Sequence, residues 1–109
     1  MAWHVEILNE AVLAEMQALA PDLRARFDRI VELLETSGPV LVREPYVKHL
    51  QGKLWEMRAK GKDGIARTIY MAAVGQRLVI LHAFIKKTQK TPKAALDTAA
   101  RRAKEAGLL

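Results

Sequence analysis

One continuous apolar run decides the fold: Leu78-Val79-Ile80-Leu81-His82-Ala83-Phe84-Ile85. Its residues do not alternate between apolar and polar, and a run of this kind is typical of a β-strand that is buried on both faces. We therefore predict a central strand at residues 78–85 and assign the other elements outward from it.

Two β-prone segments precede this central strand. Residues 54–58 alternate between apolar and charged side chains, so that Glu56 and Arg58 share the ionic face of a predicted strand. Residues 65–73 form a second β-prone run with Arg67 inside it. Glycines bracket the charged turn between the two segments, and this arrangement predicts an antiparallel pair.

Helical spacing dominates the first part of the chain. Asn9 is a typical N-cap residue, and apolar positions recur after it at helical spacing up to Leu19, which predicts a first helix. Pro21 suits the first turn of a second helix, whose apolar stripe ends at a glycine and a proline at 38–39. Together the two helices form a predicted helical hairpin.

The remaining segments complete the predicted element order. A short alternation at residues 3–8 predicts a first strand, whereas residues 40–52 are interpreted as a connecting loop. After the central strand, Thr91 is predicted to cap a C-terminal helix with Pro92 at its first position and Gly107 at its end. The order β-α-α-β-β-β-α predicts an α+β fold, with the helical hairpin and the C-terminal helix packed on a largely antiparallel four-stranded sheet.

Length and composition limit the classes of protein to consider. The chain has 109 residues, 50% hydrophobic and 28% charged, a balance typical of a single globular domain, predicted here over residues 1–109. It has no cysteine, which excludes a disulfide scaffold, a thiol nucleophile and a thiolate metal site. No apolar run approaches the length of a membrane span and the N-terminus does not resemble a signal peptide, so we expect a soluble, cytoplasmic protein with no membrane partner.

The charge is unevenly distributed along the chain. Residues 1–42 hold three basic and seven acidic residues, a net charge of −4, and residues 43–109 hold fifteen basic and five acidic residues, a net charge of +10. A positive field over one part of the surface attracts polyanions such as RNA or DNA. The alternative is that these cations serve only solubility.

Cations near the strand ends are the strongest candidates for chemistry. Arg58 and Arg67 lie on adjacent predicted strands and share a face if the register allows it, close to Lys86 and Lys87. Metal-free RNA cleavage requires removal of the 2′-OH proton, stabilisation of negative charge on phosphorus and protonation of the departing 5′ oxygen. Guanidinium and ammonium groups can stabilise the negative charge on phosphorus. The structural alternatives are a surface salt bridge for Arg58 and a buried ion pair for Arg67.

The identity of the general base is open on sequence alone. His82 lies within the central strand, where a hydrogen-bonded core histidine is the more frequent role. Glu56, beside Arg58, and Glu44, in the predicted loop, are further options, but each is expected to pair with a neighbouring cation. The sequence holds no pattern of metal ligands and no phosphate-binding loop, so neither a metal nor a cofactor is predicted.

Three segments of the chain form a recurring set. They are Leu54-Trp55-Glu56-Met57-Arg58, Arg67-Thr68-Ile69-Tyr70 and Leu81-His82-Ala83-Phe84-Ile85-Lys86-Lys87-Thr88-Gln89-Lys90-Thr91-Pro92. Together they resemble the phage-derived HigB-like branch of the RelE/ParE toxin superfamily, and the similarity covers nearly the whole chain. The resemblance implies the toxin of a type II toxin–antitoxin pair. Such a toxin has a RelE-like α+β fold, cuts mRNA, usually on the ribosome, and is neutralised by a helix-turn-helix antitoxin of the HigA kind.

The resemblance also implies roles for individual residues. It gives a catalytic set of three cations, Arg58, Arg67 and Lys87. Further cations that it implies as RNA contacts are Lys48, Lys86, Lys90 and Lys93. Two positions depart from the family pattern: Glu56 stands where some members have a lysine, and residues 90–93 replace a tyrosine that some members carry near the start of the last helix.

Two other functions remain open at this point. The ParE branch of the superfamily has the same scaffold but inhibits gyrase and cuts nothing, and the density of cations at the strand ends favours the nuclease over it. A noncatalytic RNA- or DNA-binding module would use the basic face only to grip phosphate. The free toxin is expected to be a monomer.

Overall fold

The computed structural model describes residues 3–38, 47–62, 64–86 and 90–109, with Lys86 described by its backbone alone. Eight elements follow one another in these parts of the chain. They are β1 (His4–Ile7), α1 (Glu10–Gln17), α2 (Pro21–Ser37), β2 (Val47–Gln51), β3 (Leu54–Gly61), β4 (Gly64–Ala73), β5 (Arg77–Lys86) and α3 (Lys93–Glu105). Every predicted helix and strand has a counterpart among them, and β2 is an additional element.

The strands of the described residues form one five-stranded sheet in the order β1-β5-β4-β3-β2. Neighbouring strands are antiparallel except for β1, which runs parallel to β5. The prediction of an α+β fold with a largely antiparallel sheet is therefore confirmed. β5 has a strand on each side, as its apolar run predicts, but β4 is the middle strand of the sheet.

The prediction of a four-stranded sheet is wrong by one strand. β2 pairs with β3 and lies in the segment 40–52 that the sequence indicates as a loop. Val47 packs in the core with 2% of its surface exposed, while Lys48 and His49 are exposed. An edge strand this short contains too few alternations to stand out in the sequence.

Helices cover both faces of the sheet. On one face, α1 and α2 pack around a core that includes Phe27 of α2 and Tyr70 of β4. On the other face, α3 presents three buried alanines, Ala95, Ala99 and Ala103. Their small side chains let the helix lie close to the sheet. None of the helices that the structure describes has both the length and the apolar character needed to cross a membrane.

The start of α3 differs from the prediction. Pro92 occupies the N-cap position and makes no side-chain capping bond. Thr91, the predicted cap, instead has its hydroxyl engaged by Glu56 and Arg67 of the sheet. The predicted end is confirmed, because Gly107 has a φ of 75° and its amide bonds to the last turn of the helix.

A close approach between α2 and β3 requires a glycine at position 61. A Cβ on Gly61 would lie 2.6 Å from Leu23 Cδ2 and 3.2 Å from Asp22 Oδ2. Because Leu23 is buried in the core, we expect Gly61→Ala to lower the free energy of unfolding by about 1–3 kcal/mol, measured by urea denaturation. In a Leu23→Ala background, Gly61→Ala should lower the free energy of unfolding much less. An equal loss in both backgrounds would contradict the steric explanation.

Candidate active site

Arg58 and Arg67 face each other across β3 and β4. The register pairs them directly, and it pairs Arg67 with Phe84 of β5. Directly opposed residues of antiparallel strands lie on the same face of a sheet. Since Phe84 packs in the apolar cluster under α3, the three residues form one row on the α3 face.

Glu56 shares this face with Arg58 and links the two arginines. Its Oε1 accepts a hydrogen bond from Arg58 Nε at 2.5 Å, and its Oε2 accepts one from Thr91 Oγ1 at 2.5 Å. The Thr91 hydroxyl accepts in turn from Arg67 Nη1 at 3.1 Å, and the same Nη1 lies 3.9 Å from Glu56 Oε2. These four residues are called the buried cluster below.

Exposure separates the two arginines of the buried cluster. Glu56 and Arg67 are fully buried, whereas the Arg58 side chain keeps 18% of its surface exposed. Burial lowers the pKa of Arg67, the charge of Glu56 opposes this effect, and the charge of Arg58 adds to it. An arginine in a protein stays protonated. The cluster therefore holds two positive charges against one carboxylate, and Arg58 is the cation that solvent reaches.

The geometry of Glu56 suits a positioning role. Both of its oxygens already accept short hydrogen bonds, and its side chain has no exposed surface. A substrate hydroxyl has no access to it. Glu56 pairs with Arg58, as its sequence position predicts, and its Oε1 accepts a hydrogen bond from the Nε edge of that guanidinium.

His82 lies in a second network at the outer edge of β5, beyond the residues that β1 covers. Glu15 Oε1, from α1, contacts His82 Nδ1 at 3.0 Å and accepts from the Ala83 amide at 3.1 Å. Arg102 of α3 donates to both Glu15 oxygens at 2.9 Å and to the Leu81 carbonyl at 2.9 Å. Because a carboxylate only accepts hydrogen bonds, we assign the His82 proton to Nδ1, which makes Nε2 the acceptor nitrogen of the neutral ring.

Glu15 is ionised well below neutral pH. Burial raises the pKa of this carboxyl, but hydrogen bonds from Arg102, His82 and the Ala83 amide outweigh burial and lower the pKa from 4.5 to about 2. A pKa that is lower in the folded state than in the unfolded state stabilises the fold above the unfolded value. That contribution is lost as the pH falls through the folded value.

The free energy of unfolding should therefore decrease as the pH falls from 4.5 to about 2. The decrease attributable to Glu15 is at most about 3 kcal/mol, at about 1.36 kcal/mol per pKa unit, and smaller because the side chain is partly exposed. Glu15→Gln should lack this part of the acid dependence in urea denaturation at a series of pH values. Glu10→Gln, at an exposed position of the same helix, is the control. Equal acid dependence of Glu15→Gln and the parent would contradict the assignment.

Exposed lysines flank the buried cluster. Lys48 lies opposite Glu56 on β2, and Lys60 lies on the same face as Arg58 on β3. Lys90 and Lys93, which are also exposed, stand on either side of Thr91 and Pro92 at the start of α3. Among the predicted site residues, Lys87, Glu44 and the side chain of Lys86 lie outside the described residues.

Sequence reasoning missed three participants. The sequence predicts a helix cap at Thr91, and the Lys-Thr-Pro context gives no sign that its hydroxyl turns toward the sheet. Glu15 and Arg102 come together from positions 87 residues apart, and helical spacing indicates only that they lie outside the apolar stripes.

In the part of the chain that the structure describes, no group of three His, Asp or Glu side chains could hold a metal ion.

Known proteins share both the fold and the sequence pattern of this chain. The model of the family described as phage-derived protein Gp49-like (DUF891) matches residues 14–104. A doubly substituted E. coli toxin RelE in the free state superimposes with a TM-score of 0.68 at 15% identity, covering 94% of this chain and 98% of that one. A chain of the archaeal RelE–RelB complex from Pyrococcus horikoshii OT3 gives a TM-score of 0.59 at 25% identity, covering 83% of this chain and 100% of that one. No curated protein matches the sequence.

The fold and the sequence pattern define a class, the RelE-like superfamily. Within that class, the chain belongs to the Gp49-like family of phage-derived proteins, whose model spans most of its length. The resemblance to the phage-derived branch of the RelE/ParE superfamily is therefore confirmed.

Proposed function

We propose that this RelE-like toxin is a metal-independent endoribonuclease that cuts mRNA on the ribosome and thereby inhibits translation. The observation that carries the proposal is the position of Arg58. Its side chain keeps part of its surface exposed, is held at Nε by Glu56, and lies on a sheet face flanked by exposed lysines. A planar guanidinium fork matches the oxygens of a phosphate.

The proposed reaction is an attack of the RNA 2′ oxygen on the adjacent phosphorus. The 2′-OH proton goes to a base, the bond from phosphorus to the 5′ oxygen breaks, and that oxygen takes a proton as it leaves. The products are a 2′,3′-cyclic phosphate and a 5′-OH end. Arg58 stabilises the additional negative charge that develops on the five-coordinate phosphorus. Arg67, buried beside Arg58 on the same face of the sheet, adds to the positive field. Lys87 stays a prediction from the family resemblance.

His82 is the better of the two predicted bases, because Glu56 is closed off inside the buried cluster. Glu15 orients the His82 ring through Nδ1, an arrangement that leaves Nε2 as the atom that takes a proton. The side chain is 16% exposed, and its ring stacks on Phe84 with centroids 5.1 Å apart. Phe84 belongs to the row of Arg58 and Arg67, so the ring stacking places His82 at the β5 end of that row.

His82→Gln should lower the cleavage rate by about 10²- to 10⁴-fold, the range typical of losing a general base. Cleavage rates of the folded variant test this point. A rate equal to that of the parent would mean that His82 acts only in packing.

The antitoxin partner belongs to the same proposal. The RelE–RelB complex among the similar structures supports a small protein partner, and we propose a helix-turn-helix antitoxin of the HigA kind. An acidic or apolar segment of that partner would cover the cationic face or the α1–α2 hairpin, since an unneutralised positive field continues to attract RNA. Co-purification from the native host tests this, and recovery of the toxin without any small partner would count against it.

Mapping of mRNA ends after brief induction tests the proposed activity. Ribosome-dependent cleavage should give new 5′ ends within translated codons, and these ends should disappear when initiation is blocked. Intact transcripts together with arrested replication would favour a ParE-like gyrase inhibitor instead. Binding of RNA with no cleavage under any condition would favour a noncatalytic basic module.

A further inference from the structure

The β2–β3 hairpin carries a pair of aromatic rings on the sheet face opposite the buried cluster. His49 pairs with Trp55 in the register, and their rings meet edge to face with centroids 4.9 Å apart. Trp55 has 38% of its surface exposed, and His49 is exposed as well. Single exposed apolar side chains are common on proteins. The edge-to-face contact of the two rings, rather than their exposure alone, is therefore the feature that indicates a binding site.

The histidine ring of this pair is fixed in place. Its Nε2 lies 2.8 Å from the carbonyl oxygen of Gly52 in the hairpin turn. Because a carbonyl only accepts, Nε2 carries the proton and Nδ1 is left as an acceptor. The turn itself projects into open space, since a Cβ on Gly52 would meet no atom within 4 Å. Rings that are already held in position lose little rotamer freedom when a ligand binds.

The charge of the hairpin indicates which kind of ligand it binds. Its exposed charged residues are all positive: Lys53 lies in the hairpin turn, whereas Lys48 and Lys60 lie on the face of Arg58. The one carboxylate of the hairpin, Glu56, is buried on the other face and paired with Arg58. One tryptophan offers too little apolar area for the core of a protein interface. A single nucleic-acid base, however, stacks favourably on one aromatic ring.

We infer that the Trp55–His49 pair and Lys53 form a binding site for single-stranded RNA. An unpaired base stacks on Trp55, and Lys53 binds a neighbouring phosphate. The site lies on the opposite face of the sheet from Arg58, so it is separate from the proposed cleavage centre and holds a different stretch of RNA. Its existence does not depend on whether the protein cleaves RNA.

The test uses a 12-nucleotide single-stranded RNA with a 2′-O-methyl group at every position, which attack by a 2′-OH cannot cut. Trp3→Phe leaves Trp55 as the remaining one of the two tryptophans. Its fluorescence should be quenched as the RNA binds, and the quenching should persist when Arg58 is replaced by Ala. If the quenching persists in Arg58→Ala, RNA binding at Trp55 does not depend on the proposed cleavage centre. This site and the proposed nuclease activity can therefore fail independently in the experiments.

Substitution of Trp55 tests stacking directly. Trp55→Leu keeps apolar bulk but has no π face, and it should weaken RNA binding by about 10-fold or more. Trp55→Phe should keep most of the affinity, and it keeps the test valid if the Leu variant is poorly folded. Lys53→Ala should reduce the salt dependence of binding. Val74→Ala, at an exposed apolar residue in the β4–β5 turn, should leave the affinity unchanged.

Two results would overturn the inference. The first is unquenched fluorescence of Trp55, or equal RNA affinity of Trp55→Leu and the parent. The second is a Trp55→Leu protein that binds RNA normally but no longer binds its antitoxin, because that result would assign the hairpin to a protein partner.

Discussion

Arg58→Ala should lower the rate of mRNA cleavage by about 10²- to 10³-fold, the loss typical of removing one group that stabilises transition-state charge. The protein should remain folded, because the side chain is partly exposed and Glu56 keeps its contacts with Arg67 and Thr91. Arg58→Lys should recover only part of the rate, since an ammonium group has no planar fork and no Nε edge for Glu56 to hold. Primer extension of mRNA ends in a reconstituted translation system measures the rate.

Lys60→Ala is the matched control for Arg58→Ala. Lys60 lies on the same strand and the same face, it is exposed, and it carries the same charge. Its replacement should weaken RNA binding slightly and leave kcat near that of the parent. Equal losses of kcat in the two variants would contradict a specific role for Arg58. They would instead indicate a diffuse basic surface, as in a noncatalytic RNA-binding module.

Glu56→Leu should lower the free energy of unfolding by about 3–5 kcal/mol. The substitution removes the carboxylate that faces Arg67 and Arg58 and leaves the fully buried Arg67 without that countercharge. It also deprives the Thr91 hydroxyl of its acceptor at the point where α3 meets the sheet. Urea denaturation at neutral pH measures the change.

Combining Glu56→Leu with Arg67→Met tests the cause of that loss. If an uncompensated buried charge is responsible, the double variant should recover a large part of the lost stability, since apolar residues often replace a buried ion pair at little cost. Arg67→Met alone should be destabilised, because Glu56 then loses one of its two cations. A double variant no more stable than Glu56→Leu alone would contradict the electrostatic explanation.

Burial also decides which arginine is suitable for a test of catalysis. The family resemblance gives Arg58 and Arg67 equal standing, but Arg67 has no exposed surface. Replacing Arg67 would reduce both stability and activity, and the two effects would be hard to separate. Arg58 reaches solvent, so a loss of activity in Arg58→Ala can be interpreted chemically once folding has been verified.

Local patterns in the sequence predicted most of the elements. Asn9 caps α1 through a hydrogen bond to the Val12 amide, and Pro21 begins α2, because caps and prolines act within a few residues of chain. The apolar run at 78–85 predicted β5, because a lack of alternation is likewise a property of neighbouring residues along the chain. β2 was missed because its alternation is short and because its pairing with β3, rather than its own residue preferences, makes it a strand.

The sequence alone determined the fold class, the basic second half of the chain, and the candidacy of Arg58, Arg67 and His82. Only the tertiary structure decided their roles. Register set Arg58 opposite Arg67, and the docking of α3 brought Thr91 onto Glu56, which buried one arginine and left the other in contact with solvent. The physical reason is that exposure and electrostatic environment depend on contacts between distant segments, and spacing along a chain does not encode those contacts.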